Sequence, residues 1–256
     1  MTKFYIVTNE LKDQNLEITK QIGDYLQKRD RIVTKNPNEA DCVLVLGGDG
    51  TLLRSAVCFA YLNIPFLGIN LGNLGFLAEV DREHIESALE KVLRGEFTTE
   101  KRMMLDGAGN SALNDIVLIG QTSMKLIYFD LYVNGLKLTN YVADGMVVST
   151  PTGSTGYNLS AGGPIVEPRA DVILLTPLSA HSMRSRSIIL SSDDEVMMEI
   201  TRGKNGEEQT VDAVFDGHKR IVMKTGEQIK ITKSEQSTSI IKISELNFFE
   251  ILKQKL

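Results

Sequence analysis

The sequence predicts two domains of different class, a parallel α/β domain followed by an antiparallel domain of the β-sandwich type. Over residues 1–98, strand and helix patterns alternate, which is typical of a parallel sheet covered by helices. Over residues 99–245, helical periodicity nearly disappears and short β-like runs are separated by turn pairs. Residues 246–256 return to a helix-like composition. Because a short terminal helix needs a surface to pack on, we expect it to return to the first domain.

Composition and charge limit the classes of function. The 256 residues are 42% hydrophobic, which is enough for a core without disulfides or metal. The formal net charge of -5 argues against nucleic-acid binding, which depends on basic patches. The two cysteines, Cys42 and Cys58, lack the spacing of metal ligands, so we expect free thiols. Since no apolar run has membrane-spanning length and no signal-peptide profile is present, we expect a cytoplasmic protein without a membrane partner.

The elements of the first domain follow from its apolar pattern. Strands are predicted at residues 4–7, 43–46 and 64–69, and the unbroken apolar run of the second is typical of a strand buried on both faces. Apolar residues at helical spacing predict one helix at about 14–28 and another within 81–95. Asp81 is the predicted N-cap of the second helix, and Gly95 is predicted to end it.

A glycine-rich turn, Gly47-Gly48-Asp49-Gly50-Thr51, separates the second strand from a helix. Backbone without side chains lets several N–H groups point at an anion beside the positive end of the helix dipole, so Gly47, Gly48, Gly50 and Thr51 are predicted to bind phosphate. A carboxylate at Asp49 is unfavourable beside phosphate unless it holds a metal, binds a sugar hydroxyl or takes a proton from one. An ordinary surface turn is the alternative interpretation.

The third strand also runs into a glycine-rich loop, residues 72–76. Both loops are expected at the carboxyl edge of the sheet, where ligands bind in such folds. Arg54, one turn into the helix, is a candidate to add a cation, and a solvated helix residue is an equally good interpretation. Phe76 is a candidate to cover an adenine ring, or it belongs to the core.

The second domain is predicted from its hairpins. Residues 126–139 form one hairpin around Asn134-Gly135, a pair typical of type I′ turns. The turn at 106–110 is shorter than the hairpin expected there. Further short strands are predicted at 211–215, 220–223, 229–232 and 240–243.

A polar pair, Asn114-Asp115, stands at the start of an otherwise apolar strand. An amide together with a carboxylate can bind a ribose hydroxyl and an adenine amino group, so this pair is a candidate nucleotide contact. A turn-closing pair is the alternative interpretation.

A third loop completes a set of motifs, and with this set the chain resembles the NAD kinase family over nearly its whole length. The matching segments are Gly47 to Thr51, Gly72 to Phe76, Asn114-Asp115, Asp144 to Tyr157 with Ser160, Gly162 to Pro164, and a degraded match from Pro177 to Arg186. The resemblance implies a Rossmann-like first domain, ATP-dependent phosphorylation of NAD to NADP, and Asp49 as the acceptor of the proton from the ribose 2′-hydroxyl.

The resemblance also implies the NAD-binding residues. Besides Asp49 and Gly50 they are Arg54, Phe76, Asn114, Asp115, Asp144, Thr155, Gly156, Tyr157 and Ser160, with His181 and His218 as further candidates. The family more often has Glu at position 115 and Ala at position 156. Asp144 is expected near the nicotinamide end, and exposed loop histidines remain the alternative for both His residues.

The resemblance implies a homotetramer or homodimer whose NAD sites are shared between subunits, with Asp144 as the candidate residue from the neighbouring subunit. The negative charges of ATP and Asp49 call for a divalent cation, which we expect to be Mg²⁺, and no metal site fixed by the protein is predicted. Two rivals stay open, a lipid kinase that uses Gly-Gly-Asp-Gly and a non-catalytic module that responds to NAD. A dehydrogenase is disfavoured because no GxGxxG follows a strand.

Overall fold

The computed structural model describes residues 1–72, 75–121, 126–179, 186–243 and 247–255. The chain forms two compact units, Met1–Arg102 with Gln236–Leu256, and Met103–Glu235. The boundaries predicted from the sequence are 98/99 and 245/246. The first unit takes up residues 236–245 because the end of the last strand pairs within it, parallel to the strand Pro65–Asn70.

The first unit is a parallel sheet with helices. Its strands in the first segment are β1 (Lys3–Thr8), β2 (Ile32–Val33), β3 (Cys42–Gly47), β4 (Pro65–Asn70), β5 (Val80–Asp81) and the start of β6 (Thr98–Gly107), which continues into the second unit. Its helices there are α1 (Glu17–Gln27), α2 (Asp49–Phe59) and α3 (Ile85–Arg94). Strands β2, β1, β3 and β4 lie side by side and run parallel. In this register Thr8 pairs with Leu46 and Gly47 pairs with Asn70, so β1, β3 and β4 end at one edge of the sheet.

Burial explains the pattern of the first unit. All six residues of β3 are buried, which is why its sequence shows no alternation. Helices α1 and α3 bury apolar faces that include Ile22 and Leu89. Asp81 accepts a hydrogen bond from the backbone of His84, and Gly95 ends α3 with a φ of 76°, so both predicted helix boundaries are confirmed.

The second unit consists of antiparallel strands. They are β7 (Asn110–Ala112), β8 (Asp115–Gly120), β9 (Ile127–Val133), β10 (Leu136–Ala143), β11 (Gly145–Ser149), β12 (Val172–Leu178), β13 (Ile188–Ser191), β14 (Val196–Ile200), β15 (Thr210–Phe215), β16 (Lys219–Lys224) and the first part of β17 (Gln228–Lys242), with a short helix α4 (Tyr157–Ser160). One sheet has the order β13-β12-β11-β8-β15-β16, and β10-β9-β14-β17 form the second layer. Phe129 and Phe215, from the two layers, belong to one buried core. The predicted β-sandwich is confirmed.

Turn chemistry sets the hairpins of this unit. Asn134 and Gly135 both have positive φ, 51° and 76°, as a type I′ turn requires. Ala108 and Gly109, between β6 and β7, also both have positive φ. The short turn at 106–110 is therefore a two-residue hairpin turn.

The predicted strands at 229–232 and 240–243 are not separate, which corrects the sequence analysis. Both belong to the 15-residue strand β17. Its first part pairs with β14 in the second unit, and its end pairs with β4 in the first. The chain finishes in helix α5 (Phe248–Lys255), which belongs to the first unit. In the parts of the chain described, we find no helix with the length and apolar character to cross a membrane.

Candidate active site

The glycine turn after β3 lies directly against the start of α2. Gly48 is the N-cap of this helix, and its carbonyl accepts hydrogen bonds from the backbones of Thr51 and Leu52. A Cβ atom on Gly47 would overlap the buried side chain of Thr51, so only glycine fits at this position. The turn therefore places free backbone at a helix N-terminus, as a phosphate site requires.

Asp49 joins the two glycine loops of the first unit. Its carboxylate accepts three backbone hydrogen bonds, from Phe76 at 2.7 Å and from Leu77 and Ala78 at 3.2 Å each. Gly75 is sterically required, because a Cβ there would overlap the carboxylate. A carboxylate has about four acceptor positions, so one stays open in this arrangement. The side chain is fixed in direction and can still accept a further hydrogen bond.

The other predicted residues of the first unit lie around this centre. Arg54 is exposed, and its Nη1 lies 3.9 Å from the position that a Cβ on Gly50 would take. Phe76 is half-buried, and the Lys255 ammonium of α5 lies 4.9 Å from its ring centroid. One face of this ring is thus covered by the chain's own C-terminal helix. Residues 73 and 74 of the second glycine loop lie outside the described residues.

In the second unit, the polar pair Asn114-Asp115 is fixed by Asp216, which was not among the predicted site residues. The Asp216 carboxylate accepts backbone hydrogen bonds from Leu113 and Asn114 at 2.8 Å and from Asp115 at 3.0 Å. Asp216 has a φ of 46° and sits in the turn between β15 and β16, a position at which Asp is well tolerated. The turn chemistry was visible in the sequence, but this contact was not.

Burial affects the protonation of two neighbouring carboxyl groups, Asp115 and Asp216. Asp115 is 5% exposed, and burial together with the nearby Asp216 charge raises its pKa to about 7. Burial also raises the pKa of Asp216, against the lowering effect of the three backbone N–H groups. Near neutral pH, Asp115 can thus act as a hydrogen-bond donor or as an acceptor.

The third loop is tied to the same pair. The backbone N–H of Thr150 donates to the Asn114 carbonyl at 2.8 Å, and its hydroxyl donates to the Leu113 carbonyl at 2.7 Å. A Cβ on Gly156 would lie 3.3 Å from Asn114 Nδ2. The glycine loop after β11 therefore packs directly on the start of β8.

These contacts produce a cavity of about 350 Å³ within the second unit. Its lining includes Asn114, Asp115, Asp216, Arg220 and Tyr157, and the last of these is 42% exposed. Three of the predicted site residues therefore meet at one cavity, which combines carboxyl, amide and phenol groups with a guanidinium.

Five predicted residues of the second unit that the structure describes do not line this cavity. Asp144 lies just before β11, where its backbone bonds to Leu178 and Gly120. The remaining four are Thr155, whose hydroxyl donates to the Thr152 carbonyl, Gly156, the exposed Ser160, and the exposed His218, whose Nδ1 lies 3.2 Å from the Asp216 carbonyl. His181 lies outside the described residues. Among the described residues, no group of three or more His, Cys, Asp or Glu side chains is placed to hold a metal ion.

Comparisons with known proteins agree with this geometry. Residues 5–97 match the family model for the ATP-NAD kinase N-terminal domain, and residues 113–243 match that for the C-terminal domain. The NAD kinases of Lachnospira eligens and Agathobacter rectalis are 38% and 37% identical over all of this chain and 100% and 99% of their own lengths.

Solved structures give the same result. The NAD kinase from Archaeoglobus fulgidus in complex with ATP matches with a TM-score of 0.82 and 26% identity, over 99% of this chain and 98% of that one. The yeast NADH kinase complexed with NADH, at 24% identity, has the same fold, with a TM-score of 0.84 over 99% of this chain and 87% of that one. The chain belongs to the ATP-NAD kinase family.

Proposed function

We propose that the chain transfers the γ-phosphoryl group of ATP to the 2′-hydroxyl of the adenosine ribose of NAD, with Asp49 as the proton acceptor. ATP-dependent phosphorylation of NAD is the activity of its family, and the chain is an enzyme of this type. One observation carries the assignment of Asp49, namely a carboxylate held by three backbone N–H groups at the N-terminus of α2.

In the proposed reaction, Asp49 accepts the proton and the glycine turn binds the phosphates. The 2′-oxygen forms a bond to the γ-phosphorus, the bond from that phosphorus to the β,γ-bridging oxygen breaks, and ADP leaves. The proton of the 2′-hydroxyl passes to the open position on the Asp49 carboxylate. The glycine turn of Gly47, Gly48 and Gly50 presents its backbone to the phosphates, next to Thr51, whose N–H is bound to the Gly48 carbonyl. Arg54 adds a positive charge one turn into α2.

Most of the proposed NAD contacts belong to the second unit. The cavity at Asn114, Asp115 and Tyr157 offers an amide, a carboxyl group with a pKa near neutrality and an aromatic ring. These groups suit a ribose hydroxyl and a flat base. Phe76, Asp144, Thr155, Gly156, Ser160, His181 and His218 complete the set of proposed NAD contacts.

Three further features belong to the proposal. Mg²⁺ enters with ATP as part of the substrate, since the triphosphate brings more negative charge than Arg54 can offset. The enzyme is a homo-oligomer, a tetramer or a dimer, that shares its NAD sites between subunits through the second unit. It acts in the cytoplasm.

The test compares the parent enzyme with Asp49→Asn and with Asp24→Asn, in which an exposed carboxylate on α1 is removed as a control. NADP formation is measured with purified chains whose circular dichroism spectra match. Asp49→Asn keeps the shape of the side chain but removes the base, so we expect a loss of about 10²- to 10⁴-fold. Asp24→Asn should keep the parent rate. Activity of Asp49→Asn within a few-fold of the parent removes Asp49 from proton transfer.

The same assay on the parent enzyme also tests the rival interpretation as a non-catalytic module that responds to NAD. A non-catalytic module binds NAD but forms no NADP when ATP is present. Crossing NAD and NADH with ATP and polyphosphate in the same assay identifies the acceptor and the donor.

A further inference from the structure

A lysine from a different loop reaches the glycine turn. Lys12 lies in the connection between β1 and α1, at the edge where β1, β3 and β4 end. Its Nζ lies 3.3 Å from the position that a Cβ on Gly48 would take and 3.1 Å from the corresponding position on Gly72. The ammonium group is therefore in contact distance of both glycine loops, at the N-terminus of α2.

The residues on either side of Lys12 are fixed. Before it, the backbone N–H of Asn9 donates to the Leu46 carbonyl at 2.8 Å, and Asn9 Nδ2 donates to Thr51 Oγ1 at 3.4 Å. The Asn9 side chain also accepts from the backbone of Leu11 at 3.1 Å. The loop is thereby attached to the end of β3 and to the glycine turn itself.

After Lys12, the buried Asp13 attaches the loop to α1. Its carboxylate accepts hydrogen bonds from the backbones of Ile18 and Thr19 and from the Thr19 hydroxyl at 2.6 Å. Burial acts to raise the pKa of Asp13, but these hydrogen bonds outweigh it and hold the pKa below its ordinary value. Asp13 therefore keeps its charge and its bonds at neutral pH. With both neighbours held, the backbone position of Lys12 is set by the fold, and its exposed side chain extends from there to the two glycine loops.

The ammonium of Lys12 has no partner among the residues that the structure describes. Within the described part of the chain, no carboxylate lies within 4.0 Å of Lys12 Nζ and no hydrogen bond involves its side chain. Other lysines of the chain, such as Lys230 with Glu195 and Lys233 with Asp171, have carboxylate partners at 2.8 and 2.7 Å. An exposed cation beside two glycine loops and a helix N-terminus makes a positive site that has no negative partner among the described residues.

A second group at this edge also lacks a partner. Asn70, the last residue of β4, is 1% exposed, and its Oδ1 accepts from the backbone of Gly72 at 3.0 Å. Its Nδ2 is buried and has no hydrogen-bond partner among the described residues. A buried donor without an acceptor costs free energy, and such groups mark places where a ligand completes the bonding.

We infer that Lys12 binds the phosphate chain of the phosphoryl donor and neutralises charge on it during transfer. The inference rests on the proposed function and adds a residue to it. Gly48, beside the ammonium, adjoins Asp49, where the transferred group meets its acceptor. A lysine ammonium forms short, charge-assisted hydrogen bonds to phosphate oxygens, and the triphosphate of ATP carries more charge than the diphosphate of NAD.

The experiment uses Lys12→Met, Lys12→Arg and the control Lys28→Met. Lys28 is an exposed lysine at the other end of α1, and its replacement makes the same change of charge. The kcat and KM are measured separately with ATP and with NAD as the varied substrate. Because the Lys12 ammonium has no partner among the described residues and Lys28 is exposed, all three variants should unfold at the parent's temperature.

For Lys12→Met we expect kcat/KM for ATP to fall about 10- to 100-fold, as for a lost hydrogen bond to a charged group, with KM for NAD within about twofold. Lys12→Arg, which keeps the charge, should recover most of this loss, and Lys28→Met should match the parent. A value of kcat/KM for ATP within twofold of the parent overturns the inference. So does an increase confined to KM for NAD, which would place the lysine on the diphosphate of NAD.

A binding measurement separates this inference from the proposed function. Calorimetry with inorganic tripolyphosphate and Mg²⁺ is carried out on the parent, Lys12→Met and Lys28→Met. If the parent forms no NADP, the proposed function fails, and this measurement still decides the role of Lys12. Weakening of at least about tenfold in Lys12→Met alone supports it. Equal affinities in all three chains overturn it.

Discussion

Gly75→Ala is predicted to inactivate the enzyme through Asp49 while leaving the fold intact. A Cβ added at Gly75 would lie 1.9 Å from Asp49 Oδ1 and 2.2 Å from its Cγ. Ordinary contact begins at 3.4 Å, so the oxygen or the loop must retreat by about 1.5 Å, the difference between 3.4 and 1.9 Å. The backbone φ at Gly75 is not in the left-handed range, so the effect is one of space alone.

The size of the effect follows from the hydrogen bonds that this movement breaks. The bonds from Phe76, Leu77 and Ala78 measure 2.7 to 3.2 Å, and a displacement of this size takes them beyond bonding distance. A misplacement of about 1 Å costs about 10²-fold in rate, and complete loss of the base costs up to about 10⁴-fold. The unfolding free energy should fall by about 1–3 kcal/mol, as for other overpacked sites.

The control is Gly23→Ala, the same substitution within α1, where nothing lies within 4 Å of the added Cβ. This change should leave NADP formation unaltered and raise the unfolding free energy by about 0.5–1 kcal/mol. Both variants are assayed for kcat and unfolded in urea. A Gly75→Ala enzyme with more than about one tenth of the parent kcat would refute the argument that the glycine makes room for the carboxylate.

The second unit and the substrates give three further predictions. The pKa of Asp115 is raised from 3.8 to about 7, so between about pH 4 and pH 7 the folded state keeps a proton that the unfolded state has lost. The unfolding free energy should therefore fall as pH rises through this window, and Asp115→Asn should flatten that fall in urea titrations; an unchanged slope contradicts the assignment. Excess chelator should abolish NADP formation and added Mg²⁺ restore it, whereas full activity in chelator excludes the metal. Mixing inactive Asp49→Asn and Asp144→Ala chains should restore activity through shared sites, and a monomer by light scattering, or no recovery after verified subunit exchange, would count against them.

Much of the fold could be predicted because its signals are local. The unbroken apolar run of β3, the glycine that ends α3 and the Asn134-Gly135 pair each report on their own neighbourhood. The path of β17 could not be predicted in this way. Its pairing with β14 and then with β4 depends on strands far away in the sequence, so its two ends resembled two short strands.

The candidate site was predictable to the extent that its residues stand in motifs. Gly47 to Thr51 and Asn114-Asp115 were visible as glycine-rich or polar interruptions of apolar strands. Lys12 was not, because it stands in an ordinary polar stretch and gains its meaning from the register that places the end of β1 beside the ends of β3 and β4. To identify Lys12 from the sequence, one would have to predict which strands end side by side, because no motif marks this residue.

In each unit, one carboxylate fixes a segment of the candidate site by accepting hydrogen bonds from three successive backbone N–H groups. Asp49 accepts from residues 76–78 and Asp216 from residues 113–115. The partners are separated by 27 and by 101 residues at the least, so no local pattern reveals either contact. Both carboxylates are half-buried and keep about one acceptor position open, and burial raises the pKa of Asp216. The same arrangement fixes the start of β8 in one unit and, in the mechanism proposed above, orients the proton acceptor in the other.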